Sequence, residues 1–393
     1  MRKLICIGIV SLFISCSDDP IEPTEPNLFV APTIERTTQS IFLEDEMTLD
    51  FGSESFQLEF YRNEAYKPGT GIGNYTFMLV NSNNIQNEPA PLWIYLHGGG
   101  MGYYDEQGMY QGNRAVSPEK YNNEQSFEDL LNHVQVRVLN DGQLVDQTLK
   151  RRIEEGYRLL VVSYCDHDWY SGIGTHYPNF PSNPNAEVNG LQATMSAIDY
   201  TIANYPTTYA WAQGTSAGSV GVWSLAMSYV GEDHPLTGFI ADSGFLGPNF
   251  ITVQDVYLDQ DLLQLSAGWE RQGATNKIGF YADLDNLAYP EAQIEIYDFR
   301  MTPGFWVVGN VDDAFVGHLD PIDEATAVGF STNPEYISDG LNTAINNQTN
   351  SLHELHLLPN TGHVPTHFEG QVNDLVDNFI DKVLATNPPP FGM

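Results

Sequence analysis

The chain has 393 residues, 42% apolar and 12% aromatic, with 51 acidic against 16 basic side chains and a net charge of −35. This composition excludes a disordered chain, and so dense a negative field argues against nucleic acid or an anionic membrane surface as a direct partner. The acidic residues are scattered rather than blocked, as on a solvated surface suited to a salty or extracellular medium.

At the start, Arg2 and Lys3 precede an apolar run, Leu4–Ile14, that is too short to span a bilayer. Ser15-Cys16 closes the run like a lipobox, with Phe13 where Leu is usual. Residues 1–15 are therefore expected to be a cleaved lipoprotein signal peptide, with Cys16 the lipidated first residue of the mature chain. An ordinary signal peptide with an incidental cysteine is the alternative. Ser17-Asp18-Asp19 resembles the acidic surface-export signal of some Gram-negative lipoproteins. The expected location is the outer membrane, at the cell surface, with the lipid anchor as the only membrane contact. Loss of Arg2 and Lys3 takes the mature charge to about −37. Residues 16–27 are Pro- and acid-rich and read as a tether.

From residue 28 to 393 the chain reads as one domain. Ile41–Phe51 and Phe56–Arg62 alternate polar and apolar residues, as half-buried antiparallel strands do, and Tyr75–Val80 is a third short strand. The later runs are continuously apolar: Leu92–Leu96, Leu159–Tyr164, Ala210–Gln213, Gly238–Ala241, Trp306–Val308 and Leu355–Leu358. Such runs fit parallel strands buried on both faces. Helical stretches fall between them, at Asp146–Glu155, Asn189–Ala203, Ala217–Tyr229 and Gln371–Ala385. The expected class is α/β: a mostly parallel sheet with antiparallel N-terminal strands, helices on both faces, and its site at the carboxyl ends of the strands. Residues 101–145, rich in Tyr, Asn and Gln, read as an insertion over that edge and a candidate lid.

Gly214-Thr215-Ser216-Ala217-Gly218 is a G-x-S-x-G pattern, with a strand expected to turn at Gly214 into a helix beginning at Ala217. In that setting Ser216 projects at the top of the sheet, beside a helix N-terminus that favours developing negative charge. Alone, the pattern fits a packing turn as well as a nucleophile. Upstream, the strand Leu92–Leu96 runs into His97-Gly98-Gly99-Gly100. Backbone N–H groups of Gly98 or Gly99, with that of Ala217, could bind an oxyanion there. A serine nucleophile needs a base, and His363, after the turn Pro359-Asn360-Thr361-Gly362, stands where chain order requires one. His367 is the second candidate, while His353 and His356 read as structural. For the acid, Asp313 is preferred over its neighbour Asp312, and Asp242 is a third choice whose loop reads as pocket wall. Cys165 is the lone cysteine left once Cys6 is cleaved and Cys16 lipidated, so no intrachain disulfide is expected. The chain contains no C-x-x-C or H-E-x-x-H, and neither metal nor cofactor is expected.

Tyr164-Cys165-Asp166-His167-Asp168-Trp169-Tyr170-Ser171-Gly172 resembles the Y-C-x-x-D-x-x-S-G stretch of the pectin acetylesterase and Notum carboxylesterase family. The serine motif, Ala241-Asp242-Ser243-Gly244-Phe245, Asn310 to Asp313 and Gly362-His363 follow in that family's order. The resemblance spans about residues 90–370. It implies an α/β-hydrolase fold, a triad of Ser216, Asp313 and His363, and oxyanion donors at Gly99 and Ala217. The activity it implies is a serine esterase acting on an acylated carbohydrate or small ester. Two departures stand out: the family is rich in disulfides, and its cysteine-bearing loop is replaced here by Met101-Gly102-Tyr103-Tyr104-Asp105. A peptidase with the same triad and a non-catalytic polysaccharide-binding lipoprotein remain as alternatives.

Overall fold

The computed structural model describes residues 34–243, with breaks at 52, 68–73, 84, 86, 100–101, 105–106, 109, 113–125, 138, 140–145, 171, 177–183 and 230–234, together with 302–309, 352–368 and 370–386. The signal peptide, Cys16, the tether, Asp312 and Asp313 lie outside the described residues.

Every strand expected from the sequence is present. The three N-terminal ones are β1 (Ile41–Phe51), β2 (Glu54–Asn63) and β3 (Tyr75–Ser82), paired antiparallel in turn. Then come β4 (Ala90–Leu96), the hairpin β5 (Gly102–Tyr104) and β6 (Tyr110–Gly112), and helix α1 (Phe127–Arg137). This hairpin and α1 fall within the expected insertion. Helix α2 (Gln147–Glu154) leads to β7 (Arg158–Val162), followed by the small hairpin β8 (Thr175–His176) and β9 (Glu187–Val188). Helix α3 (Gly190–Asn204), β10 (Thr207–Thr215), helix α4 (Ala217–Ser228) and β11 (Leu236–Asp242) follow. The last elements are β12 (Gly304–Gly309), β13 (His353–Leu358), the single turn α5 (Pro365–Phe368) and α6 (Gly370–Thr386).

Nine strands form one sheet in the order β1-β2-β3-β7-β4-β10-β11-β12-β13. From β7 to β13 neighbouring strands are parallel, and β3 meets β7 antiparallel. The parallel strands read as unbroken apolar runs because they are buried on both faces: α4 packs on β4, β10 and β11, while α1 and α6 lie against β3, β7 and β11. Trp93, Trp211 and Trp306 are fully buried on β4, β10 and β12, and the rings of Trp93 and Trp211, on adjacent strands, stack 6.3 Å apart. Trp93 Nε1 donates to Gln213 Oε1 at 2.9 Å, and Gln213 Nε2 donates to Asp146 Oδ2 at 2.9 Å, so Gln213 has both ends of its buried amide satisfied. Asp146 also caps α2, its Oδ1 accepting from Leu149 N at 3.0 Å.

The chain leaves β4 for β7 on one side, then returns across β4 to β10 on the other. The connections after β4 and β10 therefore lead to opposite sides of the sheet, which makes the carboxyl ends of these two adjacent strands its topological switch point. This strand order, with its antiparallel start and a serine at the switch point, is the α/β-hydrolase fold.

Candidate functional site

Residues 97–99 and Ser216 occupy that switch point. The turn differs from expectation in one respect: Gly214 and Thr215 are strand residues, paired with β11, and the chain reverses at Ser216 alone. The glycines of the motif are needed for space. A Cβ on Gly214 would fall 1.9 Å from the Gly218 carbonyl oxygen, and one on Gly218 would fall 1.9 Å from that of Leu96. With both removed, α4 starts flush against β10 and β4, and the whole reversal is concentrated in one residue.

That residue has φ 54° and ψ −117°, a region essentially reserved for glycine. Ser216 occupies the N-cap of α4, where a serine hydroxyl ordinarily binds a helix N–H, yet its side chain makes no capping bond. Its backbone N–H donates to the Asp242 carbonyl at 2.8 Å. Gly98 lies directly across from it, since a Cβ there would come 2.9 Å from Ser216 Cβ. The first N–H groups of α4, beginning with Ala217, lack intrahelical acceptors and carry the positive end of the helix dipole.

The glycine loop is braced through its carbonyls. His97 is buried, and its Nδ1 lies 2.7 Å from the Gly98 oxygen, so Nδ1 carries the proton and donates. The His97 ring stacks on His133 of α1, centroids 4.1 Å apart. Tyr170 Oη donates to the His97 carbonyl at 3.3 Å.

His363 is half-buried in the loop after β13. Its neighbour Val364 donates its N–H to Ser243 Oγ at 3.1 Å, and Ser243 N donates to the Val307 carbonyl at 3.0 Å. The loop also rests on the end of β12, where a Cβ on Gly309 would fall 2.1 Å from the Thr361 oxygen. Asp312 and Asp313 follow Gly309 by three and four positions in the sequence. Ser216 and His363 thus belong to neighbouring loops joined through the single dipeptide Asp242-Ser243.

Asp242 is fully buried and committed to that junction. Its Oδ2 accepts from Thr366 N at 3.0 Å and Thr366 Oγ1 at 2.6 Å, and its Oδ1 from Ser243 Oγ at 2.8 Å. Burial pushes its carboxyl up to about 6, against the pull of the Thr366 bonds and nearby His367. The other candidate histidines, His367, His353 and His356, are held in the scaffold. The Arg137 guanidinium donates to His367 Nδ1 at 3.3 Å, which leaves the ring proton on Nε2, 3.2 Å from Asp146 Oδ2 but off the line of a hydrogen bond. Trp306 Nε1 donates to His353 Nδ1 at 3.4 Å, and His356 stacks on Phe305 with Nε2 3.0 Å from Glu354.

The anchoring roles of Asp146 and Thr366 were not foreseen. Nothing in local spacing signals a partner 220 positions away. Among the described residues no cluster of metal-ligating side chains occurs.

No family model matches the chain, and no curated protein matches it by sequence. Solved structures do resemble it. An S-formylglutathione hydrolase from Agrobacterium tumefaciens has TM-score 0.49 at 11% identity, over 87% of this chain and 99% of its own. Est1E from Butyrivibrio proteoclasticus has TM-score 0.34 at 14% identity, over 87% and 100%. A bacterial heroin esterase has TM-score 0.40 at 13% identity, over 89% and 84%. At such identities and scores these are likenesses of shape only, and the strand order itself carries the fold.

Proposed function

We propose that the chain is a serine esterase that deacylates an ester, most simply the acetyl ester of a carbohydrate. The observation that carries this reading is Ser216: a non-glycine residue in a glycine-only conformation, at a helix N-cap it does not cap, facing a glycine loop. Ser216 Oγ adds to the ester carbonyl while His363 accepts its proton, and N–H groups of Gly98 or Gly99 with Ala217 bind the oxyanion. Collapse expels the alcohol, which takes the proton from His363. Water then attacks the acyl-enzyme with His363 as base, releasing the carboxylic acid and restoring Ser216. Asp313 is the acid assigned to hold His363 in one tautomer, on sequence order and the pectin acetylesterase resemblance. Asp242 is less suited, because three bonds from Thr366 and Ser243 already occupy its carboxylate. Lipidation at Cys16 would place this activity at the outer surface of the cell envelope.

The test is acetate release from acetylated polysaccharides, run beside p-nitrophenyl acetate, longer acyl esters and peptides. Turnover of short esters is expected, and Ser216→Ala should lower it by about 10³-fold or more while leaving the unfolding transition intact. Undiminished hydrolysis by the variant would rule out the mechanism, and cleavage of peptides instead of esters would redirect it to a peptidase.

A further inference from the structure

We propose that Tyr170 is a positioning residue for the oxyanion site, aiming the Gly98 N–H by gripping the other end of the same peptide. A trans peptide is planar, with C=O and N–H pointing in opposite directions, and among the described residues no bond is cis. Tyr170 Oη donates to the His97 carbonyl, so the N–H of Gly98 is fixed away from the phenol. Gly98 is the residue packed on Ser216. The same side chain abuts the nucleophile helix: a Cβ on Gly221 of α4 would fall 2.9 Å from Tyr170 Cβ. One buried tyrosine therefore touches both segments that supply the proposed donors, the glycine loop and the helix beginning at Ala217.

What surrounds Tyr170 fixes it in place. Its ring stacks on Tyr164, centroids 4.5 Å apart, and is 1% exposed. Its backbone lies in a left-handed turn, with φ 51° at His167, 57° at Trp169 and 55° at Tyr170. Only strong outside restraint keeps such a turn in non-glycine residues. The restraint is Asp168, a buried carboxylate accepting N–H bonds from Tyr170 at 3.0 Å, Gly172 at 2.8 Å and Gly190 at 3.0 Å. A Cβ on Gly172 or Gly190 would come 2.5 Å from that carboxylate, so both glycines make room for it. Trp169 N adds a bond to Tyr164 Oη at 2.8 Å. The turn is tied to the start of α3, and its strain falls on the residue that holds the glycine loop.

The inference rests on Ser216 acting as the nucleophile, and Tyr170→Phe tests the two separately. The variant loses one hydroxyl and keeps the ring. With p-nitrophenyl acetate, kcat should fall by about tenfold to a hundredfold, less than the loss of a whole donor, with KM changed by under about twofold. The inhibition constant of a trifluoromethyl ketone, which places an oxyanion in the same site, should rise in parallel. Wild-type kcat and ketone affinity in Y170F would overturn the role of Tyr170 and leave the esterase reading intact. A fall in kcat without loss of ketone affinity would also overturn it, since the fault would then lie outside the oxyanion site. If a fluorophosphonate fails to label Ser216 of the wild-type protein and no ester is turned over, both readings fall together.

Discussion

Asp242→Asn isolates one buried carboxyl whose effect on stability has a definite sign. In the folded chain this group ionises at about 6 instead of 3.8, chiefly because burial disfavours the charge. The folded state then holds a proton that the unfolded state has already released, so stability falls as pH rises from about 4 to 6. A shift of about two units corresponds to ~3 kcal/mol, fully present below the unfolded value and lost once pH passes the folded one. Other ionisable groups lie nearby: His367 faces Asp242, Asp146 shares Thr366 with it, and the Tyr95 hydroxyl feels both carboxylates. An amide in place of the carboxylate turns one donor pair toward Thr366 or Ser243, which adds a penalty that does not depend on pH. The measurement is urea unfolding of both proteins from pH 4 to 7.5. D242N should gain about 3 kcal/mol on the wild type across that range, most of it between pH 4 and 6, with the difference levelling off above about pH 6. A flat difference would mean that the Thr366 and Ser243 bonds offset burial completely, and a gain by the wild type would reverse the assignment.

Two further substitutions test the turn itself. Ser216→Gly frees the residue from its left-handed conformation and loses no cap. It should raise stability by about 1 kcal/mol, once glycine's extra unfolded-state entropy is set against the strain, while abolishing ester hydrolysis. A lower Tm would show that the turn is not strained. Gly218→Ala puts a methyl 1.9 Å from the Leu96 oxygen and 2.5 Å from its carbonyl carbon, both backbone atoms that cannot turn aside. The cost should reach about 3 kcal/mol or more, read as a large drop in Tm, and an unchanged Tm would mean that α4 is not seated as described.

The sheet was legible because burial on two faces leaves a local signature. Leu92–Leu96 and Gly238–Ala241 stand in the sequence as unbroken apolar runs, and each became a central parallel strand. Strand limits were less so. Gly214 read as a turn residue because glycine marks turns, whereas its missing side chain admits α4 and its backbone stays in β10. The site was legible where chemistry is written in adjacent residues, as in Gly214–Gly218 and His97–Gly99. Bonds such as Thr366 to Asp242 and Arg137 to His367 join residues more than a hundred positions apart, and no spacing rule announces them. Choosing between Asp312 and Asp313 turns on side-chain direction, which sequence order does not encode.

The distribution of backbone strain links these points. Among the described residues the non-glycine positions with positive φ are His167, Trp169, Tyr170, Ser216, Ser243, Asn360 and Val364. All seven lie in segments that follow β7, β10, β11 and β13, at the carboxyl edge of the parallel sheet. Each could be relaxed by glycine, and at Val364 a β-branched side chain makes the conformation still more costly. A scaffold optimised for packing would scatter such residues or replace them. Here they join end to end: the 167–170 turn holds the glycine loop, Gly98 faces Ser216, Ser216 N–H binds Asp242, and Ser243 binds Val364 beside His363. Strain confined to one edge, and linked there by hydrogen bonds, is how a rigid fold sets several loops in one arrangement that none of them would adopt alone.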